Sequence, residues 1–459
     1  MKRPPVEDTI AAISTPPGEG GIGIVRLSGP RAIAIAAALF QSSRGRDPLS
    51  GRGRIFYGVV HDASGPVDEV LLHIMRAPHS YTREDVVEIN AHGGPGPLNA
   101  ILELTLLHGA RLAEPGEFTK RAFLNGRIDL IQAEAVIDRI QAQTRAALRA
   151  AHAAAGGALS KAIQELNQTL GDALARVESA IDFPEEDVPD LVDESLRRQI
   201  ESARESMLAL LATAETGRLY REGARLAIVG RPNVGKSSLF NALLRDARAI
   251  VTSQPGTTRD ILEEVITIQG IPVRVSDTAG LRSTDDEVEQ IGIERARGAL
   301  HTADAVFLLL DASKPVTDED TALAAEISDL AIPAVLVLNK SDIVPDAAWP
   351  AWSTKFDGAV RLSARNGEGL TELEHVLGSL LVKEGAISPD QGLITRMHQR
   401  DSLRRAAAAL TQCLANFQSS PEFLSIDLRE ALDALGEITG ETTSDDILTR
   451  IFSSFCIGK

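Results

Sequence analysis

The sequence predicts a multidomain chain: an α+β N-terminal domain, an all-α domain, and an α/β domain inserted into the all-α one. Three observations carry this reading. Residues 1–125 alternate short β-branched runs with two helical runs. Residues 128–222 and 393–435 carry helical periodicity without strands. Between those stretches an apolar run, 225–229, leads through a glycine-rich loop directly into a helical run, 236–244, which opens a β–α alternation. The boundaries fall at 1–125, 126–222, 223–382 and 383–459. The simplest arrangement packs the last helices on 128–222, with 223–382 inserted between two halves of one helical domain. Two separate helical domains are the alternative.

In the N-terminal part, 9–13, 22–27, 55–60, 67–74 and 86–89 read as strands, and 30–40 and 97–108 as helices. Two glycine-rich loops stand between them, 16–21 and 92–96. The second contains Gly93-Gly94-Pro95-Gly96, a literal GxxG like the RNA clamp of KH modules. It lacks flanking basic residues and carries a proline, which favours a plain turn. The run 114–127, EPGEFTKRAFLNGR, is denser in charge and aromatics than a linker needs. A ligand loop and a domain junction both fit it.

From 128 onward Ile128, Leu130, Ile131, Ala135, Val136 and Ile140 form an apolar stripe that continues through an Ala-rich segment to Ile181. Two prolines and four acids at 182–189 break the pattern, 195–215 resume it, and 393–417 and 421–435 are helical again. There are no internal repeats.

Composition sets limits on function. With 44% hydrophobic residues the chain has ample material for packed cores. Two cysteines, Cys413 and Cys456, exclude a disulfide framework and a Cys-rich zinc site, which fits a reducing cytoplasm. No signal-peptide core and no apolar run of about 18 residues is present, so a cytoplasmic protein without a membrane span is expected. The net charge of −17 argues against nonspecific nucleic-acid binding. Residues 1–125 are balanced at 13 basic and 13 acidic side chains, so the whole acidic excess lies beyond them. Any RNA contact must use a local basic patch or a partner's surface.

The loop Gly230-Arg231-Pro232-Asn233-Val234-Gly235-Lys236-Ser237-Ser238 fits G-x-x-x-x-G-K-[ST], with the strand before it and the helix after it. Its glycines let backbone N–H groups turn toward phosphate oxygens at a helix N-terminus. Lys236 reaches the β- and γ-phosphates and Ser237 ligates Mg²⁺. Asp277-Thr278-Ala279-Gly280 ends a second strand, where a carboxylate holds Mg²⁺ through water and a glycine amide meets the γ-phosphate. Asn339-Lys340-Ser341-Asp342 follows the apolar run 334–338. Asp342 can accept two hydrogen bonds from the N1–H and 2-amino group of guanine, which adenine cannot supply. Ser363, Ala364 and Arg365 close the base site. In this order the motifs resemble the translation-factor-like GTPases, so the third domain reads as a P-loop GTPase domain and the nucleotide as GTP. The switch loop Thr252, Ser253, Gln254, Pro255, Gly256, Thr257, Thr258 completes the nucleotide site, with Thr258 beside Ser237 on Mg²⁺.

One departure is informative. Where Ras-like proteins place a water-orienting glutamine, this chain has Leu281, and no arginine finger is visible although Arg231, Arg259 and Arg282 lie nearby in sequence. Asn233 resembles the signature of GTPases that bind K⁺ beside the phosphates. Its side-chain oxygen and backbone carbonyls of the switch loop, from Thr252, Gln254 and Thr257, would form the shell. The competing reading of Asn233 is a turn residue.

The segments FCIGK at 455–459, PGEFTKRAFLNG at 115–126 and GRPNVGKSS with DTAGLR together resemble the MnmE (TrmE) family of tRNA modification GTPases, essentially end to end. The resemblance implies an N-terminal folate-binding domain that dimerises, a helical domain and an inserted G domain. The implied activity adds an aminomethyl or carboxymethylaminomethyl group at C5 of the tRNA wobble uridine. It implies a flavin-dependent partner, MnmG (GidA), in a hetero-oligomer, and a one-carbon unit from 5-formyl- or methylene-tetrahydrofolate. The family's folate contacts match Arg26, Glu88, Arg127 and Lys459. Its DEVE segment, 286–289 here, ends in the glutamate assigned to the attacking water, Glu289, while the neighbouring acids read as a solvated helix start. Cys456 is either functional, as often proposed for the family, or a small buried residue, the reading favoured on packing grounds. Two other functions compete. An Era- or Der-like RNA-assembly switch lacks support from a KH-like domain, a second G domain or a basic tail. A folate transferase with a vestigial G domain conflicts with intact nucleotide motifs.

Overall fold

A computed structural model describes residues 8–50, 54–182, 192–246, 264–277, 300–382 and 388–459. The chain forms two compact units. The first comprises Met1–Ile137, Ile163–Gly171 and Arg429–Lys459, and the second Asp138–Ala162 and Asp172–Leu428.

The first unit is built on a seven-stranded sheet, β1 (Ile10–Ile13), β2 (Gly20–Ser28), β3 (Phe40–Ser42), β4 (Ile55–Asp62), β5 (Gly65–Met75), β6 (Val86–Gly93) and β7 (Arg111–Leu112). Its order is β3-β4-β5-β6-β2-β1-β7, antiparallel except for the β1–β7 pair. Side chains alternate across it as period-2 patterning requires: Phe56 and Val60 of β4 and Val70, Leu72 and Ile74 of β5 are buried, with exposed Ile55, Tyr57 and Leu71 between them. The buried face packs against the helices Ala32–Leu39 and Pro95–Leu107. The GxxG is no clamp. β6 ends at Gly93, Gly94 caps the second helix and Pro95 begins it, the position where a missing N–H costs nothing.

The expected strands are all present, but the edge strands β3 and β7 escaped the pattern because three and two residues show no period. The charged run 114–127 is mostly the helix Glu117–Leu124, and Asp445–Ser453 is a further helix with no counterpart in the expectations. Both belong to one small core with the helix Leu130–Gln141, where Leu130, Ala133, Ile137, Leu448, Phe452 and Phe455 meet. Ile140, assigned to the buried stripe, is 51% exposed in the last turn of its helix.

The second unit carries a six-stranded sheet, β8 (Ala224–Val229), β9 (Glu264–Ile268), β10 (Ile271–Asp277), β11 (Ala305–Asp311), β12 (Ala334–Asn339) and β13 (Gly358–Leu362), in the order β13-β12-β11-β8-β10-β9. All pairs are parallel except β9–β10. Strands β11 and β12 are buried along their whole length, as strands covered by helices on both faces must be. In the same unit the helix Met397–Ala415 packs along Glu194–Ala212, the Ile394 amide donates to Thr213 Oγ1 at 3.0 Å, and Arg396 pairs with Asp138 at 2.8 Å. The acidic break at 183–189 lies outside the described residues. No helix among the described residues is long and apolar enough to cross a membrane.

Candidate functional site

The glycine-rich loop follows the central strand β8, whose neighbours β10 and β11 are both parallel to it. The loop and the N-terminus of the helix Lys236–Asp246 therefore stand at the carboxyl edge of the sheet, where such folds collect phosphate groups. Gly235 has φ +103°, and a Cβ there would collide with Asn339 Nδ2. Lys236 Nζ donates to the carbonyls of Gly230 and Arg231 at 2.7 and 2.9 Å, so the ammonium is held across the mouth of its own loop. Ser237 and Ser238 are exposed at the start of the helix.

The loop that follows β12 and the glycine-rich loop are tied together directly. Asn339, 2% exposed, donates through Nδ2 to the Val234 carbonyl at 2.8 Å and accepts from the Ala364 amide at 3.0 Å. Lys340, at φ +66°, donates to the Asn233 carbonyl at 3.1 Å and to Asp311 at 2.7 Å. Burial alone would raise the Asp311 carboxyl, but hydrogen bonds from Lys340 and Ser313 outweigh it and hold the group below its ordinary value. Asp342 and Arg365 are exposed, and Ser363 is buried with its hydroxyl unpartnered among the described residues. Asp277 ends β10 in register with Ile228 of β8, beside the phosphate loop.

Asn233 stands exposed at φ +61°, a left-handed turn position, and its side chain makes no hydrogen bond among the described residues. Arg231 is engaged elsewhere: Nε donates at 2.9 Å to Asp320, a buried carboxylate that also caps the helix Asp318–Asp329. That pairing occupies the Arg231 guanidinium. Asp311 and Asp320 were missed by sequence reasoning. Asp311 was findable, since it ends the apolar run Ala305–Leu310 with an acid, whereas nothing local marks Asp320. Thr252, Ser253, Gln254, Pro255, Gly256, Thr257, Thr258, Thr278, Ala279, Gly280, Leu281 and Glu289 lie outside the described residues, as do Arg259 and Arg282.

A second cluster forms in the first unit. Arg26 and Glu88 face each other across β2 and β6, with Nε and Nη2 of Arg26 at 2.9 and 2.8 Å from Glu88 Oε1. The remaining guanidinium nitrogen donates to the Gly458 carbonyl at 3.2 Å, which also accepts from Ser14 Oγ at 3.0 Å. Gly458 has φ +89°, and any side chain there would meet the Ile13 carbonyl. The Phe118 amide donates to the Lys459 carbonyl at 3.1 Å. The Arg26 guanidinium lies 5.6 Å from the Phe118 ring centroid and 6.0 Å from that of Tyr81, and the Arg127 guanidinium lies 4.7 Å from the Tyr81 centroid. Arg26 and Arg127 thus meet two aromatic rings, Tyr81 and Phe118, that sequence reasoning did not single out, with Glu88 on Arg26 and the Lys459 main chain on Phe118. The aromatic in the charged run 115–126 was the available signal for Phe118.

Cys456 corrects the packing-based reading, because it is exposed. The tail is anchored by the buried Phe455 and Gly458 on either side and by its main-chain carbonyls, which leaves the thiol facing out. Cys413 is the buried cysteine, its thiol pushed up to about 12 by burial and by the nearby Asp427 carboxylate.

Comparison with known proteins identifies the family. The model of the MnmE helical domain matches residues 130–456, and that of the GTP-binding protein TrmE N-terminus matches 9–127. The tRNA modification GTPase MnmE of Chloroflexus aurantiacus is 49% identical over 462 residues, covering 99% of this chain and 100% of the relative. That of Geobacter sulfurreducens is 47% identical over 459 residues with the same coverage. Among solved structures, the G domain of the T. maritima FeoB iron transporter is 28% identical, covering 34% of this chain and 98% of that one, with a TM-score of 0.27. That score is too low to speak for the fold, which rests on the strand order.

Proposed function

Because this chain belongs to the MnmE family of tRNA modification GTPases and is a GTP hydrolase acting in tRNA modification, we propose that its hydrolysis is activated by K⁺ and serves a folate-dependent modification. In this reading the product is an aminomethyl or carboxymethylaminomethyl group at C5 of the wobble uridine. The flavin-dependent partner is MnmG, the one-carbon donor a tetrahydrofolate, and the active form a cytoplasmic homodimer joined through residues 1–125. Residues 126–222 and 383–459 are the halves of the helical domain that carries the G domain, 223–382.

The observation that carries the K⁺ reading is Asn233. Its main-chain oxygen is already engaged by Lys340, and its exposed side-chain oxygen remains to ligate a cation beside the phosphates. With Arg231 held by Asp320, a cation there supplies the charge that an arginine finger would. Thr252, Gln254 and Thr257 complete that shell, Ser237 and Thr258 hold Mg²⁺, and Glu289 orients the attacking water through a second water. The pair Arg26–Glu88, with Arg127 and Lys459, supports the folate reading: Glu88 can accept from a pterin's donor edge, and the partly exposed Tyr81 ring lies beside Arg127.

Turnover measured in KCl and NaCl at matched ionic strength is the test. GTP hydrolysis is expected to be at least about tenfold faster in K⁺. Asn233→Ala should erase that difference with GTP affinity largely kept. Glu289→Ala should lower kcat roughly a hundredfold in either salt. Equal rates in the two salts defeat the K⁺ assignment, and a near wild-type Glu289→Ala defeats the other.

A further inference from the structure

We propose that the arginine-rich end of the N-terminal sheet, formed by Arg44, Arg46, Arg54 and Arg76 beside Tyr57, is a docking surface for the phosphate backbone of tRNA. The sheet brings the four arginines together from three chain segments. The turn after β3 holds Arg44 and Arg46, whose amides both donate to Ser42 Oγ, and Ser43 N donates to the Tyr57 carbonyl at 3.0 Å. Arg54 precedes β4, and its carbonyl accepts from the Ile74 amide near the end of β5 at 2.8 Å, two residues before Arg76. Arg76 reaches back to the same turn, donating to the Pro48 carbonyl at 3.0 Å.

The charge of this edge is uncompensated. Arg44, Arg46 and Arg54 are exposed, and none forms an ion pair among the described residues. The single carboxylate described in the turn, Asp47, is directed at the Leu49 amide at 2.8 Å and caps the turn. Other arginine groups differ in this respect. Arg218 is paired with Glu215 and Asp304, Arg400 and Arg404 share Asp401, and Arg121 is enclosed by Asp8, Glu84 and Glu117. In a chain of net charge −17 that acts on tRNA, a polyanion would be repelled by most of the surface and needs such a site. Tyr57 supplies the second element. It is 51% exposed on the face of β4 turned away from the core, beside exposed Ile55 and Leu71 and three residues after Arg54, and an exposed ring near the arginine-bearing turn is a stacking platform for an unpaired base.

The test uses the full-length chain and a tRNA transcript lacking the wobble modification, with affinity measured across a salt series. Replacing Arg44, Arg46 and Arg54 together by alanine should weaken binding about tenfold or more at low salt and flatten the log–log salt dependence by about one unit per arginine. Tyr57→Ala should weaken binding several-fold with the salt slope unchanged, since stacking releases no counterions, and Tyr57→Phe should bind as wild type. GTP turnover and the sedimentation mass should be those of the wild type in every variant. Unaltered affinity and slope in the triple variant would overturn the proposal. So would failure of the wild-type chain to bind the transcript at low salt. Loss of the dimer in the triple variant would assign the surface to subunit contact instead.

Discussion

Arg121 is 1% exposed, and its guanidinium sits among Asp8 Oδ1 at 2.7 Å, Glu117 at 3.0 Å and Glu84 at 3.3 Å. Arg111 joins the same cluster, 2.6 Å from Glu117. A buried charge survives only with such company. Burial alone would raise the Glu117 carboxyl, but the bonds from Arg111, the Glu114 amide and Arg121 outweigh it and set the group below its ordinary 4.5. A depressed carboxylate contributes stability that is fully present above the unfolded value and lost as pH falls through the folded one. Glu117→Gln is therefore expected to cost about 3 kcal/mol at neutral pH. It should also make the acid limb of stability shallower than in the wild type. Urea unfolding of both proteins between neutral pH and pH 3 measures this, and parallel acid limbs would remove Glu117 from the argument.

At the scale of elements, that cluster fixes the helix Glu117–Leu124, and the helix in turn holds the tail. Gly116 and Phe118 donate their amides to the carbonyls of Cys456 and Lys459 at 3.3 and 3.1 Å, while Ser14 and Arg26 hold Gly458. The geometry here depends on main-chain contacts, so the substitution that breaks it is at glycine. Gly458→Val would meet the Ile13 carbonyl and displace the tail from Arg26. Affinity for 5-formyltetrahydrofolate should then fall about tenfold or more, the worth of one or two hydrogen bonds. GTP hydrolysis should be unchanged. Calorimetry decides it: undiminished folate binding after Gly458→Val, or after removal of Lys459, would detach the tail from the site.

For the whole molecule the question is which activity the GTPase serves. Deleting the gene should leave the wobble uridine without its C5 group, and mass spectrometry of digested tRNA reads that directly. Complementation with the intact chain should restore the group, and complementation with Lys236→Ala should not, because the phosphate loop is then without its ammonium. Fully modified tRNA in the deletion strain would favour a switch of the Era or Der kind. Restoration by Lys236→Ala would favour a folate transferase with an idle G domain.

Much of this is legible in the sequence alone. The phosphate loop is a local device: its glycines, lysine and hydroxyl work within nine consecutive residues, so the spelling alone carries the chemistry. Long strands such as β4, β5 and β12 show a period or an apolar run for the same local reason. Other features depend on residues distant in the chain. Arg231 was one of three arginines near the nucleotide motifs in sequence until the fold set Asp320 against it, 89 positions away. Cys456 read as a buried thiol until the tail was seen to be held by its carbonyls. The edge strands β3 and β7 take their conformation from pairing, and the helix Glu117–Leu124 carries a charge pattern that makes sense only once Asp8 and Glu84 arrive from elsewhere. Residue type and spacing determined the reading of the glycine-rich loop as a nucleotide site, because that motif is made by neighbours in sequence. Tertiary structure decided which charges are neutralised, which stand free and where the tail lies, because burial and Coulomb energy depend on neighbours in space.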